Sequence, residues 1–130
     1  MGLKYAVLGD IHSNAEALSA VLADAESQGV TNYCCVGDIV GYNADPEFCI
    51  EKIRELAGES VVRGNHDHYC SRQENLNGFH PLAADVVDWT RKRLSDDQRA
   101  WLGNLRYSRT VETFMLVHST LDNPEMWGYV

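Results

Sequence analysis

Three short apolar runs alternate with two helical patterns in the first half of the chain. Residues 3–9, 33–36 and 60–62 are mostly apolar, and their length predicts buried strands. A strand–helix–strand–helix–strand order places successive strands in one parallel sheet with right-handed crossovers. We therefore expect an α/β protein that begins with a parallel βαβαβ sheet.

Polar residues and glycines predict where the two helices begin and end. Ser13 is followed three residues later by Glu16, which fits a capping box, so the first helix is expected to follow Ser13. Gly29 is expected to end it. The second helix is expected to begin at Pro46 and to end at Gly58, because proline is favoured in the first helical turn and glycine just past the last one.

The second half of the chain has a less regular pattern. Residues 65–78 are polar and indicate a loop, whereas residues 81–94 carry apolar side chains at helical spacing. Ser95 fits the cap of a further short helix. Residues 106–112 and 113–117 are typical of two strands. No internal repeat or domain boundary is evident, and residues 1–130 are interpreted as a single domain.

Side chains of the kinds that bind metals follow each apolar strand. They are Asp10 and His12 after the first strand, Asp38 after the second, Asn65 after the third, and His118 after the last. Ligands of an open parallel sheet bind just beyond the carboxyl ends of its strands, so these residues are expected at one edge. Any one of them alone would be read as a cap or a surface residue, but the ordered set favours a metal site.

The order of these residues resembles that of the calcineurin-like metallophosphoesterases. The matching pieces are D-x-H at residues 10–12, G-D at 37–38, G-N-H-D at 64–67 and the later His118. The sequence around them is most similar to small bacterial and archaeal phosphoesterases related to diadenosine tetraphosphatases and serine/threonine phosphatases. The resemblance implies the N-terminal part of a four-layer α/β/β/α sandwich.

The resemblance also implies a hydrolase with two metal ions. Asp10 and His12 would hold one ion, Asn65 and His118 would hold the other, and Asp38 would bridge the two. Manganese is the expected metal, with iron, zinc, cobalt or nickel as alternatives. Two such cations lower the pKa of a shared water, and the resulting hydroxide would attack a phosphomonoester or a phosphodiester.

Further roles are implied for residues 63–67. His66 would be catalytic as the proton donor to the leaving group, because the unperturbed pKa of an imidazole is about 6.5. Asn65, His66 and Arg63 would bind a small phosphate-ester or nucleotide substrate, with a structural role in bonding to nearby carbonyls as the alternative for Arg63. Asp67 would either orient His66 or cap a helix.

Two departures from the family pattern change what is expected. No G-H-x-H motif follows His118 before Val130, so the chain is interpreted as a C-terminally truncated, partial domain. Where serine/threonine phosphatases carry Asp and Arg after the G-D motif, Gly41 and Tyr42 stand here. The alternative function is therefore a catalytically incomplete module that binds metal or phosphate. A nucleotide-binding Rossmann domain is disfavoured, because no G-x-G-x-x-G follows the first strand.

Composition narrows the range of partners. The formal net charge of −8 and the pI of about 4.9 disfavour general nucleic-acid binding or attachment to an anionic membrane. No apolar run approaches the length of a membrane span and no signal peptide is evident, so a cytoplasmic protein is expected. The four cysteines are interpreted as small apolar residues of a reducing compartment. Exposed strand edges would favour self-association, which makes a homo-oligomer one expected assembly.

Overall fold

The computed structural model describes residues 2–129. The elements follow one another as β1 (Tyr5–Leu8), α1 (Ala15–Ser27), β2 (Asn32–Cys35), α2 (Pro46–Ala57), α3 (Asn65–Ser71), α4 (Pro81–Arg93), α5 (Asp96–Asn104), β3 (Ser108–Val111), β4 (Phe114–Val117) and a 3₁₀ turn (Pro124–Met126). The predicted α/β class is confirmed, and so is the parallel pairing of the first two strands.

Strand pairing begins with β1 and β2, which run parallel with Tyr5 opposite Asn32. The third strand predicted at residues 60–62 is reduced to two parallel bridges, one between Cys35 and Val61 and one between Val62 and Arg106. The segment is too short to count as a strand, because the chain leaves it at once to enter α3. Its two bridges still extend the parallel arrangement that begins with β1 and β2. β3 and β4 form an antiparallel hairpin with Ser108 opposite Val117.

The core lies on both faces of these strands. Cys35 belongs to the larger cluster, in which Ile39, Ile50 and Val87 are fully buried beneath the helices, and Cys34 belongs to the smaller cluster. The two adjacent cysteines face opposite sides because side chains alternate along a strand. All four cysteines are buried and free of disulfides.

The helix starts correct two predictions. Ser13 does not cap α1; the cap is Asn14, whose side chain accepts a hydrogen bond from the backbone N–H of Ala17. Ser13 instead adopts a left-handed conformation with φ of 57°. The predicted loop at residues 65–78 is wrong over its first half, which forms α3. The backbone N–H of His68 bonds to the carbonyl of Gly64, so the polar motif itself forms the first turn of a helix.

The remaining elements agree with the predictions. α4 covers the predicted residues 81–94 except for the last, and Ser95 caps α5 by accepting a hydrogen bond from the backbone N–H of Gln98. The hairpin reverses at Glu112, which has a positive φ of 50°. Within residues 2–129, none of the helices combines the length and the hydrophobicity that a membrane crossing requires.

Candidate metal centre

Backbone hydrogen bonds join the first two strand-end loops into a single unit. The N–H of Asp10 bonds to the carbonyl of Gly37, and the N–H of His12 bonds to the carbonyl of Asp38. These bonds continue the parallel pairing of β1 and β2 beyond the ends of the strands. Residues 10, 12 and 38 therefore stand side by side, as the strand-end argument predicts.

The ligand-bearing residues have unusual backbone conformations. Asp10, His12 and Asp38 all have positive φ, between 49° and 54°. This left-handed region is sparsely populated by residues other than glycine. It turns the chain sharply after the strand, so the side chains project over the sheet edge instead of continuing the strand alternation.

Asp38 lies at the centre of the cluster. Its carboxylate is buried, with the residue 4% exposed. One oxygen, Oδ1, accepts a hydrogen bond of 2.9 Å from the backbone N–H of His66. The other, Oδ2, faces two histidines: it lies 3.6 Å from Nε2 of His12 and 3.4 Å from Nε2 of His118. A single carboxylate oxygen is thus shared by imidazoles that stand 106 positions apart in the sequence.

The two histidines are oriented by the same device. Nδ1 of His12 lies 3.0 Å from the carbonyl of Val40, and Nδ1 of His118 lies 2.8 Å from the carbonyl of Val36. A carbonyl only accepts, so Nδ1 must carry the hydrogen in both rings. In the neutral ring the lone pair is then on Nε2, the atom that points at Asp38. Metal-binding histidines are held in this way by a backbone carbonyl or a carboxylate.

Two groups of ligand atoms share Asp38. His12, Asp38 and His66 form one group, and Asp10, Asp38 and His118 form the other, with the ligand atoms of each group within 4.8 Å of one another. Asn65 joins the second group, because its Oδ1 lies 3.1 Å from Nε2 of His118. The structure therefore brings all five predicted ligands together, with Asp38 common to both sides. It groups Asp10 with Asp38 and His118, and the assignment of Asp10 and His12 to one ion stays a prediction.

The acceptors around His118 demand a positive charge. Its Nε2 faces the oxygens of both Asp38 and Asn65. Burial alone would lower the pKa of this imidazole, but the hydrogen bond and the charge of Asp38 outweigh it and raise the pKa of His118 to about 9. The oxygens that favour the protonated imidazole would equally favour a cation bound among them.

His66 is enclosed by other rings. Its Nδ1 is buried and has no hydrogen-bond partner among the described residues. Burial lowers the pKa of this imidazole. Tyr42 lies against it with ring centroids 4.6 Å apart, and Phe79 meets it edge-on at 5.4 Å. Because Nδ1 is closed off, Nε2 is the nitrogen that remains to meet a substrate.

A cleft of about 410 Å³ opens over the cluster. Its floor carries Asp10, His12, Asp38 and His118, and Tyr42 and Trp127 form walls. No sequence pattern predicts Trp127 at this position, because its place in the wall depends on the path of the chain after β4. The arrangement is an open cleft with a carboxylate-and-imidazole floor, suited to a hard cation and an anionic ligand.

Residues 3–125 match the calcineurin-like phosphoesterase family. The chain belongs to this family. It is 39% identical over 129 residues to the uncharacterized protein MJ0912 of Methanocaldococcus jannaschii, a match that covers 96% of this chain and 53% of that protein. The family resemblance noted in the sequence is thereby confirmed.

Solved structures agree with the family assignment. A metallophosphoesterase from Sphaerobacter thermophilus superposes with a TM-score of 0.85 at 33% identity, over the whole of this chain and 52% of that one. The hypothetical protein PH1004 from Pyrococcus horikoshii shares the fold, with a TM-score of 0.80 at 24% identity, over 95% of this chain and 57% of that one. The chain thus spans about half the length of these proteins and corresponds to the N-terminal part of a metallophosphoesterase fold.

The donor set of this family member fits divalent metal ions. Two carboxylates, two imidazoles and one amide oxygen converge, and both imidazoles present Nε2 inward. Asp38 has oxygens enough to serve two neighbouring ions. Mixed oxygen and nitrogen ligands suit several first-row metals without selecting one.

Asp67, in the same phosphoesterase motif, is a further buried carboxylate. It accepts hydrogen bonds from the backbone N–H groups of Asp38, Ile39, Val40 and Gly64, at 2.8 to 3.2 Å. Burial, with the nearby charge of Asp38, raises the pKa of Asp67 to about 7, while those amides act in the opposite direction. Of the two roles weighed for it, orientation of His66 and capping, these bonds favour capping, and they extend it by tying the Asp38 loop to the start of α3.

Arg63 points away from the cleft. Its guanidinium donates to the carbonyls of Gly103 and Leu105 and to the hydroxyl of Tyr107. Its Nη1 also lies 3.1 Å from Nδ1 of His68. These contacts match the structural alternative for Arg63, since they join α3 to the segment between α5 and β3. Arg63 does not line the cleft over the metal ligands.

Proposed function

We propose that the protein hydrolyses phosphomonoesters or phosphodiesters at a site that holds two metal ions. The observation that carries the proposal is the position of Asp38, whose carboxylate belongs to both ligand groups. A carboxylate shared in this way is what a two-metal centre requires. Membership of the phosphoesterase family supports the same reaction class.

The five clustered side chains would hold the ions, with Asp38 between them. Asp10, His12, Asn65 and His118 would complete the two sides. Manganese is the metal we propose, with iron, zinc, cobalt or nickel as alternatives that the same donors would accept. When bound, the two cations supply a water of lowered pKa and neutralise charge on the phosphoryl oxygens.

His66 would supply the proton that the leaving group needs. As one oxygen–phosphorus bond forms to the attacking oxygen, the ester oxygen–phosphorus bond breaks, and the departing oxygen needs a proton. Nε2 of His66 is the accessible nitrogen of the ring and would donate it. Its neighbour Asn65 would position the phosphoryl group, and we keep Arg63 out of this role because its donors are engaged by carbonyls.

Composition and side-chain chemistry support the proposed substrates and location. Small phosphate esters or nucleotides are the proposed substrates, and an anionic substrate would be attracted by the cations despite the net charge of −8. Four free, buried cysteines fit the proposed cytoplasmic location. We treat residues 1–130 as part of one metallophosphoesterase domain, and assembly into a homo-oligomer stays a prediction.

The test is the substitution Asp38→Asn in the full-length protein, assayed with p-nitrophenyl phosphate and added manganese. Asparagine keeps an oxygen for the N–H of His66 but cannot bridge two cations. We expect kcat to fall about a thousandfold, the scale seen when a main electrostatic contact to the transition state is lost. Asp85→Asn, on the exposed side of α4, is the matched control and should leave kcat unchanged.

Two outcomes would contradict the proposal. Undiminished hydrolysis by Asp38→Asn would remove the bridging role. Tight manganese binding to the unaltered protein without turnover of any phosphate ester would instead favour the non-catalytic binding module. Calorimetry with manganese on the same preparations separates the two results.

A further inference from the structure

A second cleft adjoins the one over the metal ligands. It has a volume of about 360 Å³ and shares five lining residues with its neighbour: Tyr42, Asn65, His66, Trp127 and Tyr129. His66 therefore stands on the boundary, with one cleft on the ligand side and one on the side of α3 and α4. Of the five proposed metal ligands, only Asn65 also lines the second cleft, so this cleft lies beside the metal site and extends away from it.

The walls of the second cleft are largely aromatic. Tyr42 and Phe79 both contact the ring of His66, at centroid distances of 4.6 and 5.4 Å. Phe79 in turn meets Tyr69 edge-on at 5.0 Å. These contacts fix the rings relative to one another, and Tyr42 remains 53% exposed. An exposed tyrosine held against a buried histidine offers a ring surface that nothing on the described chain covers.

A few polar groups lie among the rings. Asn75 and His80 line the same cleft. Their intramolecular bonds use only the Oδ1 of Asn75 and the Nδ1 of His80. The amide N–H₂ of Asn75 and Nε2 of His80 are thus left for a ligand. Aromatic rings that lie beside a small number of placed polar groups are features of a site for a small organic molecule.

The position of His66 assigns the second cleft to the leaving group. In an in-line displacement, the attacking and leaving oxygens lie on opposite sides of phosphorus. The attack comes from the metal side, and His66 would protonate the departing oxygen on the other. The substituent carried by that oxygen must then extend past His66, which leads into the second cleft.

We propose that this cleft is a subsite for a planar aromatic group on the leaving alcohol, such as a phenyl ring or a nucleobase. The inference rests on the proposed phosphoesterase function and deepens it. Flat rings pack favourably against aromatic side chains in edge-on or offset arrangements, which saturated rings of similar size cannot match. Asn75 and His80 would meet hydrogen-bonding edges where the ring carries them.

The test compares two esters that differ only in the flatness of the ring. 2-Phenylethyl phosphate and 2-cyclohexylethyl phosphate have leaving alcohols of similar acidity and size, so chemistry alone would make them equal. With manganese-loaded, full-length protein, we expect kcat/KM to be about 5- to 10-fold higher for the phenyl ester. Adenosine 5′-monophosphate is a third substrate. Comparison of its kcat/KM with that of the phenyl ester tests whether Asn75 and His80 add to the preference.

Substitutions locate the preference in the second cleft. Phe79→Leu and, separately, Tyr42→Asn should each bring the ratio of the two kcat/KM values towards one. Asparagine is chosen at position 42 because the residue has φ of 61°, a region that asparagine tolerates. Trp89→Leu is the control, because Trp89 is an exposed aromatic residue of α4 that lines neither cleft; its ratio should stay that of the unaltered protein.

The possible results distinguish the subsite from the reaction itself. Equal kcat/KM values for the two esters, or a ratio that both cleft variants leave intact, would overturn the subsite while the phosphoesterase activity stands. Absence of turnover for every ester, with manganese bound, would overturn the proposed function and the subsite with it. A preference for the phenyl ester that Phe79→Leu or Tyr42→Asn removes would establish the subsite.

Discussion

The strand-end loops and the helical region that covers them are built in opposite ways. In the loops, non-glycine residues with positive φ are concentrated around the ligands, whereas residues 43–111 contain none. The loop residues are Asp10, His12, Ser13, Asp38 and Tyr42. Each such conformation costs on the order of 1 kcal/mol or more and persists only where surrounding contacts enforce it. The strained backbone conformations are concentrated in the ligand-bearing loops. Contacts from the helical region, whose backbone is unstrained, hold those loops in place.

Each region is held in part by a buried charged side chain. Asp67 holds the loop region through backbone N–H groups, and Arg63 holds the helical region through backbone carbonyls. The two residues stand four positions apart at the start of α3. The difference teaches that Asp67 should influence both stability and metal binding, whereas Arg63 should influence stability alone. Substitutions along this segment test the division.

Asp67→Ala should have the largest effect. It leaves the N–H groups of Asp38, Ile39, Val40 and Gly64 without their acceptor in a buried place, and the free energy of unfolding should fall by about 4 kcal/mol. The Kd for manganese should rise about 10- to 100-fold, as expected when support behind a ligand is lost. Urea denaturation and calorimetry measure the two. Asp67→Asn, which keeps one oxygen, should fall between; a loss below 1 kcal/mol for the alanine variant would refute the clamp.

Arg63→Met should destabilise the protein by about 3 kcal/mol, because the carbonyls of Gly103 and Leu105 lose a buried donor that methionine cannot replace. The Kd for manganese and the KM for p-nitrophenyl phosphate should stay unchanged, since the guanidinium points away from the cleft. Denaturation, calorimetry and steady-state kinetics are the measurements. A rise in KM out of proportion to the stability loss would restore Arg63 as a substrate-binding residue.

Metal loading should stabilise the loops by a comparable amount. A ligand present at a hundred times its Kd adds about 2.7 kcal/mol to the free energy of unfolding for each site that exists only in the folded state. Thermal unfolding with manganese and after chelation measures the difference. Asp38→Asn should abolish most of the gain and Asp85→Asn should keep it. Equal stabilisation of both variants would mean that manganese binds elsewhere.

Gly41→Ala should have the smallest effect on stability and a clear one on activity. Gly41 has φ of 97°, and a Cβ there would lie 2.5 Å from Nδ1 of His66. We expect a loss of about 1–2 kcal/mol and, because the ring must shift, a fall in kcat of about tenfold. Gly58→Ala is the matched control: Gly58 also has a positive φ, of 54°, but nothing lies within 4 Å of its Cβ position. If both variants keep full kcat, the contact with His66 has no catalytic consequence.

The convergence of the proposed metal ligands could be predicted from the sequence because it depends on a local feature, a ligand residue at the end of a strand. Asp10 and Asp38 follow the paired parallel strands β1 and β2, whose ends meet at one edge, whereas His118 follows β4 of the antiparallel hairpin. For the residues that follow β1 and β2, this convergence follows from the order of strands and helices alone. The same reasoning could not give the distances among the ligand atoms, because those depend on the left-handed turns after the strands.

Other features escaped because they depend on distant contacts. α3 looked like a loop, since its polar residues bond to backbone far away: Asp67 reaches the amides that follow Gly37, about thirty positions earlier. Ser13 had the composition of a cap, but the loop geometry passed that role to Asn14. Phe79 meets His66 only through the path of the chain between α3 and α4. The pattern of apolar and polar residues in one sequence does not show which distant residues will come into contact.

The carbonyls that orient His12 and His118 belong to Val40 and Val36, which flank Asp38 two residues away on either side. Residues 36–40 therefore orient three ligands that come from distant parts of the chain. The two imidazoles and the carboxylate between them are oriented by a single short stretch of backbone, so a substitution that distorts residues 36–40 would displace three ligands at once.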